Sequence, residues 1–131
     1  MLEGKRKKMS DLKKVLGKRA EDVAVAFLRD KGLQIEKRNF RNRLGEIDII
    51  TKEGDVFVFV EVKSKSGEGY GSPEEMVGAN KQRHIIRTAE SYLYLTGNED
   101  SDWRIDVLSI RPKSRSEQDF DVKWIKNAVI Q

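Results

Sequence analysis

Glu46-Ile47-Asp48-Ile49-Ile50 and Val56-Phe57-Val58-Phe59-Val60-Glu61-Val62-Lys63, on either side of Lys52-Glu53-Gly54-Asp55, decide the fold. Both runs are rich in β-branched and aromatic residues and flank a glycine turn, the pattern of a β-hairpin. The second run is apolar at consecutive positions, which suits a central strand covered on both faces. Residues two apart on a strand share a face, so Glu46 goes with Asp48 and Glu61 with Lys63. With Glu53-Gly54 as the two-residue turn, Glu46 falls opposite Glu61. A register shifted by two places Asp48 opposite Glu61, and in either case all four charged groups share one face, whereas a register shifted by one separates the two pairs. Opposed Cβ atoms lie about 5 Å apart, so these carboxylates can converge.

Upstream, Leu16, Ala20, Val23, Ala24 and Phe27 recur at steps of three and four, predicting an amphipathic helix over about 13–30 that ends at Gly32. Leu33–Arg41 reads as a first strand and Arg43-Leu44-Gly45 as a turn. Downstream, residues 64–71 read as a loop and Ser72-Pro73-Glu74-Glu75 as a helix start. A longer helix is expected from Asn80 to Leu95, closing at Gly97. Strands are expected at Trp103–Ile110 and Phe120–Ile125. The expected fold is α/β (α+β), a mixed five-stranded sheet flanked by helices in the order α-β-β-β-α-β-β. Residues 13–131 form one domain, and residues 1–12 a basic, flexible tail.

Composition narrows the chemistry. The chain has 131 residues, no cysteine and one histidine, His84, which excludes disulfides and thiolate zinc sites and argues against a histidine-based one. The apolar runs, Val56–Val60 among them, fall far below the ~20 residues of a membrane helix, and the N-terminal residues lack a signal-peptide core. A cytoplasmic protein without a membrane partner is expected. Charged residues make up 37% of the chain, with a net charge of +4. Lys5, Arg6, Lys7, Lys8, Lys13, Lys14, Lys18 and Arg19 outnumber Glu3 and Asp11 in the first 20 residues. Such a balance permits a polyanionic partner.

The acid-x-Lys spacing occurs at Glu3/Lys5, Asp11/Lys13, Glu61/Lys63 and Asp121/Lys123. Only Glu61/Lys63 ends a strand that reads as buried and lies next to further acids. Carboxylates clustered there repel and raise one another's pKa. A divalent cation relieves the conflict, and oxygen-only ligands favour Mg²⁺ or Mn²⁺. Glu46, Asp48, Glu61 and Lys63 are therefore the candidate site, set against the alternative of a solvated salt-bridge cluster. Arg41, Arg43, Lys65, Lys81 and Arg83 are candidate phosphate contacts. Asp106 reads as structural, His84 as a helix-surface residue, and Trp103 and Trp124 as strand packing.

Gly45-Glu46-Ile47-Asp48 followed by Phe59-Val60-Glu61-Val62-Lys63 resembles the PD-(D/E)xK nuclease core. More closely, the chain resembles the YraN-type family, which is similar to archaeal Holliday-junction resolvases. Gly17, Ala20-Glu21, Asn39, Arg41, Tyr70-Gly71-Ser72-Pro73, Lys81, Ala89, Tyr92-Leu93, Arg104-Ile105-Asp106-Val107 and Asn127-Ala128 extend the likeness. Ile47-Asp48 stands where the nuclease motif has Pro-Asp. The resemblance implies a restriction-endonuclease-like fold with Asp48 and Glu61 as metal ligands and Lys63 as the catalytic lysine. It also implies that Glu21, on the first helix, completes the metal site. The expected activity is Mg²⁺-dependent hydrolysis of phosphodiester bonds in branched or structured DNA, with a homodimer by analogy to the resolvases. The rival expectation is a nucleic-acid-binding accessory protein that keeps the fold but cleaves little or nothing.

Overall fold

Helix α1 spans Met9–Asp30 and lays Ala20, Ala24, Val25 and Leu28 on the sheet. The structure, a computed structural model, describes residues 9–64, 78–113 and 119–129. Helix α1 ends in a Schellman motif. The Leu33 amide donates to the Leu28 carbonyl and the Gly32 amide to the Arg29 carbonyl, with Gly32 at φ 90°. The helix starts at Met9, ahead of the expected Lys13. Its buried stripe includes Val25 and Leu28, while Val23 and Phe27 sit at its margin.

Strands β1 (Gln34–Asn42), β2 (Gly45–Glu53) and β3 (Val56–Ser64) form an antiparallel meander. Helix α2 (Ala79–Leu95) then crosses over to β4 (Trp103–Pro112), which pairs with β3 in parallel. Strand β5 (Phe120–Val129) closes the edge antiparallel to β4. The sheet order is β1-β2-β3-β4-β5, and the element order is the one expected, α-β-β-β-α-β-β. As its apolar run requires, β3 is central. Phe57 and Phe59 face Ile85, Ala89 and Leu93 of α2, while Val58 and Val60 face the α1 side. Each such side chain, fully buried, contributes roughly 1.5–3 kcal/mol of hydrophobic stabilisation.

The hairpin register corrects one expectation. Glu53 pairs with Val56 and Ile49 with Val60, so the turn is Gly54-Asp55 and not Glu53-Gly54. Gly54 has φ 62°, and a two-residue turn of type II′ needs positive φ at its first central position, where Glu53 would be strained. Asp48 thus comes opposite Glu61, one step beyond the last paired residues. Strands β4 and β5 run longer than expected. Residues 65–77 and 114–118, which hold Lys65, all but the first residue of the loop expected at 64–71 and the Ser72 helix start, lie outside the described residues, as do residues 1–8 and 130–131. Among the described residues no helix is long and apolar enough to cross a membrane.

Candidate active site

The site forms where β2 enters the sheet and β3 leaves it, with the first turn of α2 above. Gly45 sets that approach. A Cβ there would lie 2.8 Å from Thr88 Oγ1 and 3.5 Å from the His84 Cβ. Thr88 cannot easily give way, because its hydroxyl donates to the His84 carbonyl at 2.6 Å. The absent side chain lets α2 settle onto the start of β2. The result is a cleft of about 440 Å³ with Glu46, Asp48 and Glu61 on the sheet side and Asn80, Lys81 and His84 on the helix side. A second hollow of about 370 Å³ continues it past Arg41, Arg43 and Leu44.

Asp48 and Glu61 are cross-braced by each other's strand. The Val62 amide donates to Asp48 Oδ2 at 2.8 Å, and the Asp48 amide donates to the Glu61 carboxylate. Glu61 is only 2% exposed, and its Oε1 has no hydrogen-bond partner among the described residues. Burial, then the neighbouring Asp48 charge, pushes the Glu61 carboxyl up to about 7. Burial raises Asp48 too, with the Val62 amide opposing. Lys63 is pulled below the ordinary lysine range, by burial first and then by the neighbouring Lys81 ammonium. Lys81 Nζ stands 3.6 Å from Glu61 Oε2. Burial, the largest single influence, would lower Lys81, but the Glu61 and Asp48 charges and its close polar neighbours together outweigh it and the net shift is upward.

The other candidates are placed less centrally. Glu46 lines the cleft and pairs with Arg41 at 3.1 Å, its register partner on β1. Glu21 acts on Asp48 through its charge, but its carboxylate accepts from Asn39 at 2.9 Å and Arg38 at 3.3 Å. Asn39 reaches it from a left-handed backbone conformation, φ 54°. Asparagine is among the few residue types that tolerate such a turn of the chain. Among the described residues no three His, Cys, Asp or Glu side chains stand close enough together to hold a metal ion. Arg43 lines the outer hollow, and Arg83 is exposed and hydrogen-bonds Asn80. Asp106 lies outside the cleft, wholly buried and bonded to Arg104, Trp124 and the Asn127 amide. That is the structural role expected of it.

Sequence reasoning missed His84 as a cleft residue and Lys81 as a partner of Glu61. A signal was available: positions 81, 84, 85, 88 and 89 share one helical stripe, and Ile85, Thr88 and Ala89 are buried. Lys81 and His84 extend that buried stripe beyond the edge of the core.

The donor set fits a hard divalent cation. Mg²⁺ commonly takes one or two carboxylates and completes its shell with water and substrate phosphate. Two buried, mutually repelling carboxylates with one oxygen left unbonded match that demand, and a full cage of three protein ligands is not required.

The family described as Uncharacterised protein family UPF0102 matches residues 20–110. A UPF0102 protein of Caldicellulosiruptor saccharolyticus is 41% identical over 116 residues, covering 88% of this chain and 98% of its own length. One from Desulforapulum autotrophicum is 40% identical over 120 residues, 92% of this chain and 97% of its own. One from Persephonella marina is 47% identical over 96 residues, 73% and 83% respectively. The chain belongs to the UPF0102 family, the YraN-type family to which its motifs point.

Proposed function

We propose that this UPF0102 chain is a Mg²⁺- or Mn²⁺-dependent endonuclease that hydrolyses phosphodiester bonds in branched or structured DNA. The observation that carries the reading is the buried Asp48–Glu61 pair with its unbonded Glu61 oxygen, at the floor of a cleft whose continuation is walled by Arg41 and Arg43. A neutral or cationic substrate gives no reason for that juxtaposition; a phosphate with a bridging cation does.

Asp48 and Glu61 would hold the ion, with Glu21 beyond them adding negative charge. When bound, the ion would neutralise phosphate charge and acidify a water molecule. The protein's own groups account for the rest. The cross-bracing amides of Val62 and Asp48 fix the carboxylates before substrate arrives, so their orientation costs nothing at the moment of reaction. Lys63, shifted towards its neutral form, can take a proton from the attacking water or return one to the leaving oxygen. Arg41 and Arg43 contact flanking phosphates, which positions the duplex without reading its sequence. Glu46 holds Arg41 in place.

The test is a cleavage assay with Mg²⁺ or Mn²⁺ across duplex, flap, single-stranded and four-way-junction DNA, comparing wild type with Asp48→Asn. Cleavage by the wild type alone is the expected result. Binding without cleavage on every substrate would favour an accessory protein that keeps the fold. The absence of a third close ligand among the described residues is the observation on that side.

A further inference from the structure

A carboxylate as buried as Glu61 needs a counter-charge, and the fold supplies one from an unexpected element. Lys81 lies in the first turn of α2, and its ammonium is 3.6 Å from Glu61 Oε2. The same ammonium lies beside the Lys63 side chain and acts electrostatically on Asp48. It therefore occupies the neighbourhood in which a cation shared by Asp48 and Glu61 would sit. The two partners differ in freedom, however: the Lys81 side chain is 51% exposed and the Glu61 side chain 3%. Glu61 is fixed by the strand, while Lys81 carries its charge on a flexible four-carbon stem. The cleft opens outward past His84 and Arg43, so the ammonium has somewhere to go.

We propose that Lys81 is the exchangeable counter-ion of the Asp48–Glu61 pair, holding the carboxylates in the metal-free protein and leaving when a divalent cation binds. The inference deepens the nuclease reading and rests on its assignment of Asp48 and Glu61 as cation ligands. The unbonded Glu61 Oε1 supports it independently, because an ammonium on Oε2 satisfies only half of a buried carboxylate. The exchange makes charge balance at the site independent of metal supply. It also places a released cation at the mouth of the groove that a substrate phosphate must enter. Lys81 thus acts as a positioning residue for the ligands, distinct from the role of Lys63.

Lys81→Met keeps the length and apolar stem of the side chain and removes the competitor. Arg83→Met removes one positive charge two residues away, from a side chain that bonds Asn80 and not the carboxylates. Mn²⁺ binding to the full chain is followed without DNA by paramagnetic broadening of the Asp48 and Glu61 amide signals. Lys81→Met is expected to tighten Mn²⁺ binding by about three- to tenfold, the order expected when a cation leaves the immediate site. Arg83→Met should change it by less than about twofold, since exposed charges at a distance are screened. Unchanged or weaker binding in Lys81→Met would overturn the proposal. Equal tightening in both variants would overturn it as well, since the effect would then be general field and not exchange. If wild type and Lys81→Met both fail to bind Mn²⁺, the exchange and the metal reading fall together. If Lys81→Met binds more tightly while no form of the protein cleaves DNA, the exchange stands and the nuclease reading fails.

Discussion

Glu61→Gln should stabilise the metal-free protein at pH 8 and leave it nearly unchanged at pH 5. The Glu61 carboxyl titrates near 7 in the folded chain, against an ordinary 4.5, because burial and Asp48 disfavour its charge. The folded state therefore holds this proton over a pH range where the unfolded state has lost it. Stability from this group is greatest below about 4.5, and it drains away as pH rises towards 7. At about 1.4 kcal/mol per pH decade, the interval amounts to a penalty of about 3 kcal/mol on the charged form. Glutamine keeps an oxygen for the Asp48 amide and removes the charge, but it forfeits the Lys81 ion pair and needs an acceptor for its own amide hydrogens. Allowing for those losses, a net gain of about 1–2 kcal/mol remains at pH 8, a rise in melting temperature of about 5 °C for a chain of this size.

The assay is thermal unfolding of wild type and Glu61→Gln in chelator at pH 5 and pH 8, repeated with Mn²⁺. The difference between the proteins at one pH isolates Glu61 from every other titrating group. With Mn²⁺ at pH 8 the wild type should gain stability by ligand linkage, and the variant should gain little. A melting-temperature difference that is the same at both pH values, or a variant less stable at pH 8, would refute the reasoning. Lys81 would then be satisfying the carboxylate fully, and the site would hold no unmet demand for a cation.

Lys63→Ala and Asp48→Asn are each expected to lower single-turnover cleavage by several powers of ten while changing DNA affinity little, measured by quenched-flow and by anisotropy in Ca²⁺; equal cleavage by wild type and variants would remove both residues from the mechanism. Arg41→Gln with Arg43→Gln should make the log–log salt dependence of duplex binding shallower by about 0.9 for each phosphate no longer neutralised. An unchanged slope would place the DNA elsewhere. Gly45→Ala should cost about 1–3 kcal/mol through the clash with Thr88, read as a fall in denaturation midpoint, and Thr88→Ala in the same chain should recover part of it. Asp106→Asn should destabilise by about 2 kcal/mol, because it leaves Arg104 with only the partly exposed Glu53 as counter-charge and unpairs buried donors around Asp106, with no change in Mn²⁺ affinity.

The fold was legible in the sequence because its strongest signal is a run, Val56–Val60, that alternates Val and Phe beside a glycine turn and suits a doubly covered strand. The face shared by Asp48 and Glu61 followed from parity once the hairpin turn has two residues, as it does at Gly54-Asp55. Their direct opposition did not, because a register shift of two keeps parity and moves every pairing. Only the conformational demand of Gly54 at the turn selects between the two registers. Glu21 was reached by resemblance, and its bond to Asn39 was invisible because it depends on Asn39 adopting φ 54° within β1. Lys81 was harder still. It meets Glu61 across a crossover whose intervening residues carry no periodic signal, and a lone lysine near a helix start is usually a solvated charge.

One sheet holds two buried acids, and the contrast between them is the strongest internal argument for a binding role at Glu61. Asp106 and Glu61 lie on neighbouring parallel strands, where Val60 pairs with Asp106 and Glu61 with Val107. Asp106, wholly buried, accepts from Arg104 Nε at 3.0 Å, Trp124 Nε1 at 2.9 Å and the Asn127 amide at 2.7 Å. Asn127 adopts φ 52° beside it, so the chain accepts local strain where this carboxylate is satisfied. Glu61 is nearly as buried, yet it has one backbone amide, a half-exposed ammonium and a bare oxygen. The same fold can satisfy an acid completely, so the deficit at Glu61 is not a general weakness of its packing. Sites where local rules fail while their neighbours obey them are where function is expected. Converting each acid to its amide should therefore move stability at pH 8 in opposite directions, down for Asp106 and up for Glu61. Two shifts of the same sign would mean that both acids are struts, and the cleft would lose its claim to a cation.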